Sequence, residues 1–254
     1  MIRSGPGLSA RISKADRRGL AALVSENLAA LTERDALQSI RHPHASEAVL
    51  EEILSSRTLL AARGVRRLLA AHPLTPRHAA LRCLDDLLFR DLLEIGRDAR
   101  TSAPVRMAAN RKLEDAMRFL AAGEKIALAR LAPPALFSAL LDEPEIRVLE
   151  AVLANPRLAS EDLQRWLATG HPRPAALALV ASDARWSGRP DVRIALLTHR
   201  STPRAAALSL LTSASRGEWR RLAEDPSADA LLAACARDLL ENGSNSVDRG
   251  SKSS

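Results

Sequence analysis

Apolar residues along this chain recur at steps of three and four, in short blocks interrupted by proline, histidine or asparagine. The clearest block is 140–168. Ile146, Leu149, Val152 and Leu153 fall on one face of a helix, the spacing that makes a single apolar stripe. Pro144 has φ pre-set for a first turn, and Asp142 stands just before it as a capping side chain. Asn155-Pro156 stops the helix, because asparagine tolerates a left-handed conformation and proline offers no donor. Ser160-Glu161-Asp162 then opens a second helix with a cap and acids suited to its dipole. Leu163, Trp166 and Leu167 supply its apolar face. The predicted unit is a short antiparallel helix pair.

The same phrase returns elsewhere. Val65 to Arg77 and Val192 to Arg204 keep the spacing of the copy that starts at Val148, with His72 and His199 where that copy has Asn155. Thr75-Pro76 and Thr202-Pro203 read as a cap followed by a first-turn proline. Ser46-Glu47, four residues after His42, does the same in an earlier copy, and Asp225-Pro226 opens a last unit bearing Leu231, Leu232, Ala236, Leu239 and Leu240. The turn positions His42, His72, Asn155 and His199 lie 30, 83 and 44 residues apart. A degenerate copy from Val105-Arg106 to Asn110 divides the long interval. Repetition on this scale means stacked units, none able to bury its apolar face alone.

The expected fold is therefore all-α, a right-handed solenoid of about five or six helix pairs over residues 13–241. A flexible basic arm at 1–12 is expected before it, and a disordered Gly/Ser/Asn-rich tail at 242–254 after it.

The pattern Asp/Glu-Pro-x-Val/Ile-Arg, an apolar helix, Asn-Pro, and a second helix ending in Leu resembles the leucine-rich repeat variant family, which is HEAT-like. The match is close over Leu140–Ala168, fair over Arg63–Leu84 and Arg189–Leu211, and weak over Asp85–Leu131. The resemblance implies a curved stack of helix pairs, a shape commonly used to hold partners. The family's founding member is associated with a cysteine-bound iron–sulphur cluster. This chain has only Cys83 and Cys235, far apart in helical patterns, so no such cofactor is expected and both read as buried, reduced thiols.

Composition narrows the picture further. The chain has no Tyr and only three Phe in 254 residues, as expected for a helical protein rich in Ala and Leu. It contains no apolar run long enough for a membrane span and no secretory signal, so a cytoplasmic protein is expected. Of the net charge of +7, residues 20–242 hold only two units, because the first nineteen residues and the last twelve carry the rest. Nucleic-acid binding needs positive charge gathered on one face, which a nearly neutral body does not guarantee.

Candidate sites follow from the repeat. His42, His72 and His199 share one position with Asn155, which suits a helix-ending role better than a metal ligand. His44, His78 and His171 lack metal-ligand spacing, and no metal site is expected. Arg66, Arg106, Arg147 and Arg193 each follow an apolar residue at one repeat position. They form either a stripe for phosphate or carboxylate groups or an internal ladder bonded to acids such as Asp142 or Asp191 and to helix-end carbonyls. Trp186, flanked by Arg185 and Arg189 in an insertion, reads as a binding hot spot or stacking site, or equally as an anchor for its own loop. No nucleophile elbow, phosphate loop or His-Glu-x-x-His motif is present, so no catalytic residue is assigned.

The expected function is a non-enzymatic scaffold binding a protein partner on its concave face. A nucleic-acid binder is the alternative. Less favoured is an alkylated-base DNA glycosylase using Trp186 with Asp183 or Asp191.

Overall fold

The computed structural model of the protein describes residues 7–226 and 228–250. Every regular element among them is helical. The chain divides after Leu120 into two compact units.

The first unit holds α1 (Leu8–Ile12), α2 (Arg17–Asn27), α3 (Glu33–Arg41), α4 (Glu47–Ser55), α5 (Arg57–Ala61), α6 (Arg63–Ala71), α7 (Arg77–Cys83), α8 (Phe89–Arg97) and α9 (Ala103–Met117). Helix α1 packs on α3, α3 on α6 and α6 on α8, while α2 packs on α4 and α7 on α9. The buried stripes supply the reason: Val24, Ile40, Leu50, Leu69 and Leu113 are almost wholly removed from solvent, and burial of such side chains is the main favourable term in folding. Helix α3 starts with a reciprocal capping box between Thr32 and Asp35, so two donors that a helix start would leave orphaned are satisfied. Asp35 also accepts the Ser9 hydroxyl, and Gln38 Nε2 donates to the Ser9 carbonyl at 3.0 Å. These bonds hold α1 against α3. Burial would raise the Asp35 carboxyl, but the hydrogen bonds from Ser9 and Thr32 hold it below its ordinary value.

The second unit holds α10 (Ala122–Leu131), α11 (Phe137–Leu141), α12 (Ile146–Leu153), α13 (Ser160–Thr169), α14 (Pro174–Ser182), α15 (Ala184–Ser187), α16 (Pro190–Thr198), α17 (Arg204–Ser213), α18 (Arg216–Glu224) and α19 (Ala230–Gly250). Helices α10, α12, α14, α17 and α19 pack in succession, and so do α11, α13, α16 and α18. Trp166, Trp186 and Phe137 are its largest fully buried side chains.

Several local expectations change. Helix α12 begins at Ile146 rather than at Pro144, and Asp142 does not cap it. Instead Asp142 accepts the Trp166 indole N–H at 2.7 Å, because a buried indole needs an acceptor. No described residue outside glycine has a positive φ, so Asn155 ends its helix by other means than a left-handed turn. The copy expected at 105–110 lies inside α9, with Asn110 buried there. Helical packing begins at Leu8, five residues before the expected boundary, and Ile12 is fully buried. Residues 1–6 of the expected arm lie outside the described residues. The final helix continues through Gly250, and residues 251–254 of the expected tail lie outside the described residues. No described helix is long and apolar enough to cross a membrane.

Candidate functional site: helix-end turns and the cleft they border

One turn recurs in both units. His42, His72, Asp98, Asn155, Asp183 and His199 each follow the end of a helix. In every case a side-chain acceptor takes the backbone N–H two residues on, at 2.9–3.2 Å. In every case the carbonyl of the same residue takes the N–H three residues on, at 2.9–3.1 Å. The acceptors are histidine Nδ1, aspartate Oδ1 and asparagine Oδ1. All are attached to Cγ and reach the same point in space. This is the turn that short acceptor side chains favour, with imidazole standing in for the amide. Because Nδ1 accepts, the neutral ring carries its proton on Nε2. Burial lowers the basicity of His72, and burial together with the Arg200 charge lowers that of His199, so both favour the neutral accepting form.

The turns clip onto neighbouring helix ends, whose last carbonyls have no partner of their own. Thr101 Oγ1 donates to the Ala71 carbonyl at 3.3 Å. Asn155 Nδ2 donates to the carbonyls of Ala129 and Ala132 at 2.8 and 3.1 Å. The Leu153 carbonyl receives both Trp186 Nε1 and Arg185 Nη1 at 3.2 Å.

Trp186 is 0% exposed. The Arg185 and Arg189 guanidinium carbons lie 4.5 and 5.2 Å from its ring centroid, in cation–π range. Arg189 also donates to Ser160 Oγ at 2.7 Å. The indole anchors its own loop, the second of the two readings of Trp186, and has no free face for a partner or a base, while Arg185 and Arg189 are themselves exposed. Asp183 is spent on its turn and Asp191 accepts from Gln164 Nε2 at 2.6 Å. With its ring buried, Trp186 offers neither acid an open face to work with, although Asp191 itself is exposed.

The four repeat arginines separate in role. Arg193 is buried and bonds Glu218 through two nitrogens and the Ser187 carbonyl through a third. Arg106 donates to the carbonyls of Thr101 and Ala99. Arg66 pairs with Asp86. Arg147 is exposed and makes no ion pair among the described residues. Their partners are turn or helix-end carbonyls and nearby acids, though not Asp142 or Asp191. The Cys83 thiol is buried and pushed up to about 11, an unreactive state. Cys235 is free and half-buried.

An open cleft of about 1050 Å³ lies in the first unit. Arg34, Leu37, Gln38 and Arg41, on one exposed face of α3, form one wall. Ser13-Lys14-Ala15, just beyond α1, forms the other, and His42-Pro43-His44 closes one end. A second cleft of about 420 Å³ shares Arg41 and His42 and reaches His72 and Asp98. A smaller cleft in the second unit, about 250 Å³, adjoins His199. No protein-family model, curated protein or solved structure matches this chain.

Lys14, Arg34 and Arg41 make no ion pair among the described residues. By contrast Arg63 and Arg67 in α6 pair with Asp91 of α8, and Arg67 also with Glu94. The single carboxylate of the large cleft, Glu33, has an oxygen against α6, where a Cβ on Gly64 would sit 3.0 Å from it. That places it near the start of α6, where a helix favours negative charge. Sequence reasoning missed this cleft because its cations belong to no repeat position.

Proposed function

We propose that the protein is a non-enzymatic interaction scaffold, built as a right-handed solenoid like that of the leucine-rich repeat variant and HEAT-like proteins, which binds a protein partner. The solenoid reading is supported by the successive packing within each unit, α1 to α3 to α6 to α8 and α10 to α12 to α14 to α17 to α19. It is supported also by the turn that returns at His42, His72, Asp98, Asn155, Asp183 and His199. Repeats linked in this way offer extended surfaces for partners. The observation that carries the binding reading is the open cleft along α3, with three cations that make no ion pair among the described residues. Unpaired, solvated charges at a concave surface cost little in the free protein and become attractive when a partner of opposite sign arrives.

The experiment is affinity capture of the tagged full chain from cell lysate, with and without nuclease, followed by cross-link mapping. The expected result is a stoichiometric protein partner that survives nuclease and cross-links to residues beside Lys14 and Arg41. A catch lost on nuclease treatment overturns the reading in favour of nucleic acid.

A further inference from the structure

We propose that the α3 cleft is a recognition site for an extended acidic polypeptide segment, taking two carboxylates on Arg34 and Arg41 and a third contact on Lys14; this rests on the scaffold reading and names its ligand.

The spacing argues for it first. Arg34 and Arg41 are seven residues apart in α3, two helical turns, so they project from one face about 10 Å apart along the axis. A polyproline-like strand rises about 3 Å per residue and returns to the same side every third residue. Carboxylates three residues apart on such a strand therefore match the two guanidinium groups. The whole wall, nine residues of helix from Glu33 to Arg41, is about 13 Å long and accommodates about four residues of extended chain.

The chemistry argues for it next. Each guanidinium presents a planar fork suited to a carboxylate. Leu37 sits between them, half-buried, as an apolar floor. Gln38 is already committed to Ser9, the Thr32 hydroxyl to Asp35 and the Ser13 hydroxyl to the Ala10 carbonyl, so the polar contacts left to a ligand are chiefly the cations. The site is also held firm. The Asp35–Ser9 and Gln38–Ser9 bonds tie α1 to α3 and thereby hold Lys14, just beyond α1, in the same cleft as Arg34 and Arg41.

Nucleic acid is the weaker match. The lining offers no Trp, Tyr or Phe for a base to stack on, and stacking platforms are what make single-strand sites effective. Three cations against Glu33 also fall short of the continuous phosphate track that gives nucleic-acid binders their affinity.

The test uses fluorescence anisotropy with the full chain at low salt and three labelled probes. They are a short proline-rich peptide with two glutamates three residues apart, the same peptide with glutamines, and a short single-stranded oligonucleotide. The expected result is binding of the diglutamate peptide alone, weakened about tenfold or more by Arg34→Gln with Arg41→Gln and partly by Lys14→Gln. These side chains are exposed, and an unchanged helical circular dichroism spectrum shows that the variants fold. Equal binding of the two peptides, tighter binding of the oligonucleotide, or an unaltered double variant overturns the proposal. If the double variant still captures the wild-type lysate partner, the cleft assignment fails while the scaffold reading stands.

Discussion

Arg193 of α16 and Glu218 of α18 form a two-point ion pair, Nε to Oε1 at 2.9 Å and Nη2 to Oε2 at 3.0 Å, with both side chains nearly closed to solvent. The same carboxylate accepts the Ser215 N–H at 2.7 Å in the capping box of α18. One acid thus starts a helix and bolts it to its neighbour. Removing either partner leaves a buried charge uncompensated, so Glu218→Ala or Arg193→Ala should cost about 3–5 kcal/mol in urea unfolding. Replacing both by apolar residues of similar size should cost less than either change alone.

The same pair confers acid sensitivity. Burial pushes the Glu218 carboxyl up, but hydrogen bonds from Arg193 and Ser215 outweigh it and hold the group below its ordinary 4.5. A depressed carboxylate contributes stability that is complete above the unfolded value and lost as pH falls below it. Unfolding midpoints should therefore drop below about pH 4.5, and Glu218→Gln should flatten that drop. An equally steep acid limb in the variant would contradict the assignment.

Histidine turns predict a second pH window. His72 and His199 are both lowered from 6.5, so the stability they contribute is complete above that value and is lost as pH falls from it towards the folded values, where the rings protonate and the turn bonds break. Between pH 7 and 5 the wild type should lose stability. His72→Asn with His199→Asn should lose less, because the amide oxygen accepts at any pH. His72→Ala should cost about 1 kcal/mol at neutral pH, the worth of a typical hydrogen bond.

Asn155 is 1% exposed and uses both ends of its amide. Asn155→Asp keeps the turn acceptor but sets a carboxylate against two carbonyl oxygens. It should destabilise by about 3 kcal/mol or more and by more than Asn155→Ala, since an unpaired buried charge costs more than a missing amide. Thermal unfolding of the two variants gives the order directly.

Trp186→Ala should remove about 3–5 kcal/mol of stability, as for other large-to-small core changes. It should leave peptide affinity per folded molecule unchanged. A loss of affinity without a loss of stability would return Trp186 to the list of contact residues.

Helix pairs, their apolar stripes and the shared histidine–asparagine position were legible in the sequence because periodicity and punctuation are local signals. Asp98 escaped notice since it replaces His or Asn by a third residue type. Yet Asp98-x-x-Thr101 repeats the spacing of His72-x-x-Thr75 and His199-x-x-Thr202, and that signal would have found it. The burial of Trp186 was not legible, because a Trp between two arginines reads alike whether its ring lies outward or folds back to the carbonyl of Leu153. The α3 cleft was not legible either. It depends on α1 lying across from α3, a contact made by Ser9, whose identity announces nothing.

The recurring turn separates the shape of the chain from its charge. Any of three residues completes it with the same backbone path, yet one is neutral, one anionic and one switchable by protons. Substitution at these positions can therefore repaint the electrostatics along the helix ends, copy by copy, while the scaffold beneath keeps its form.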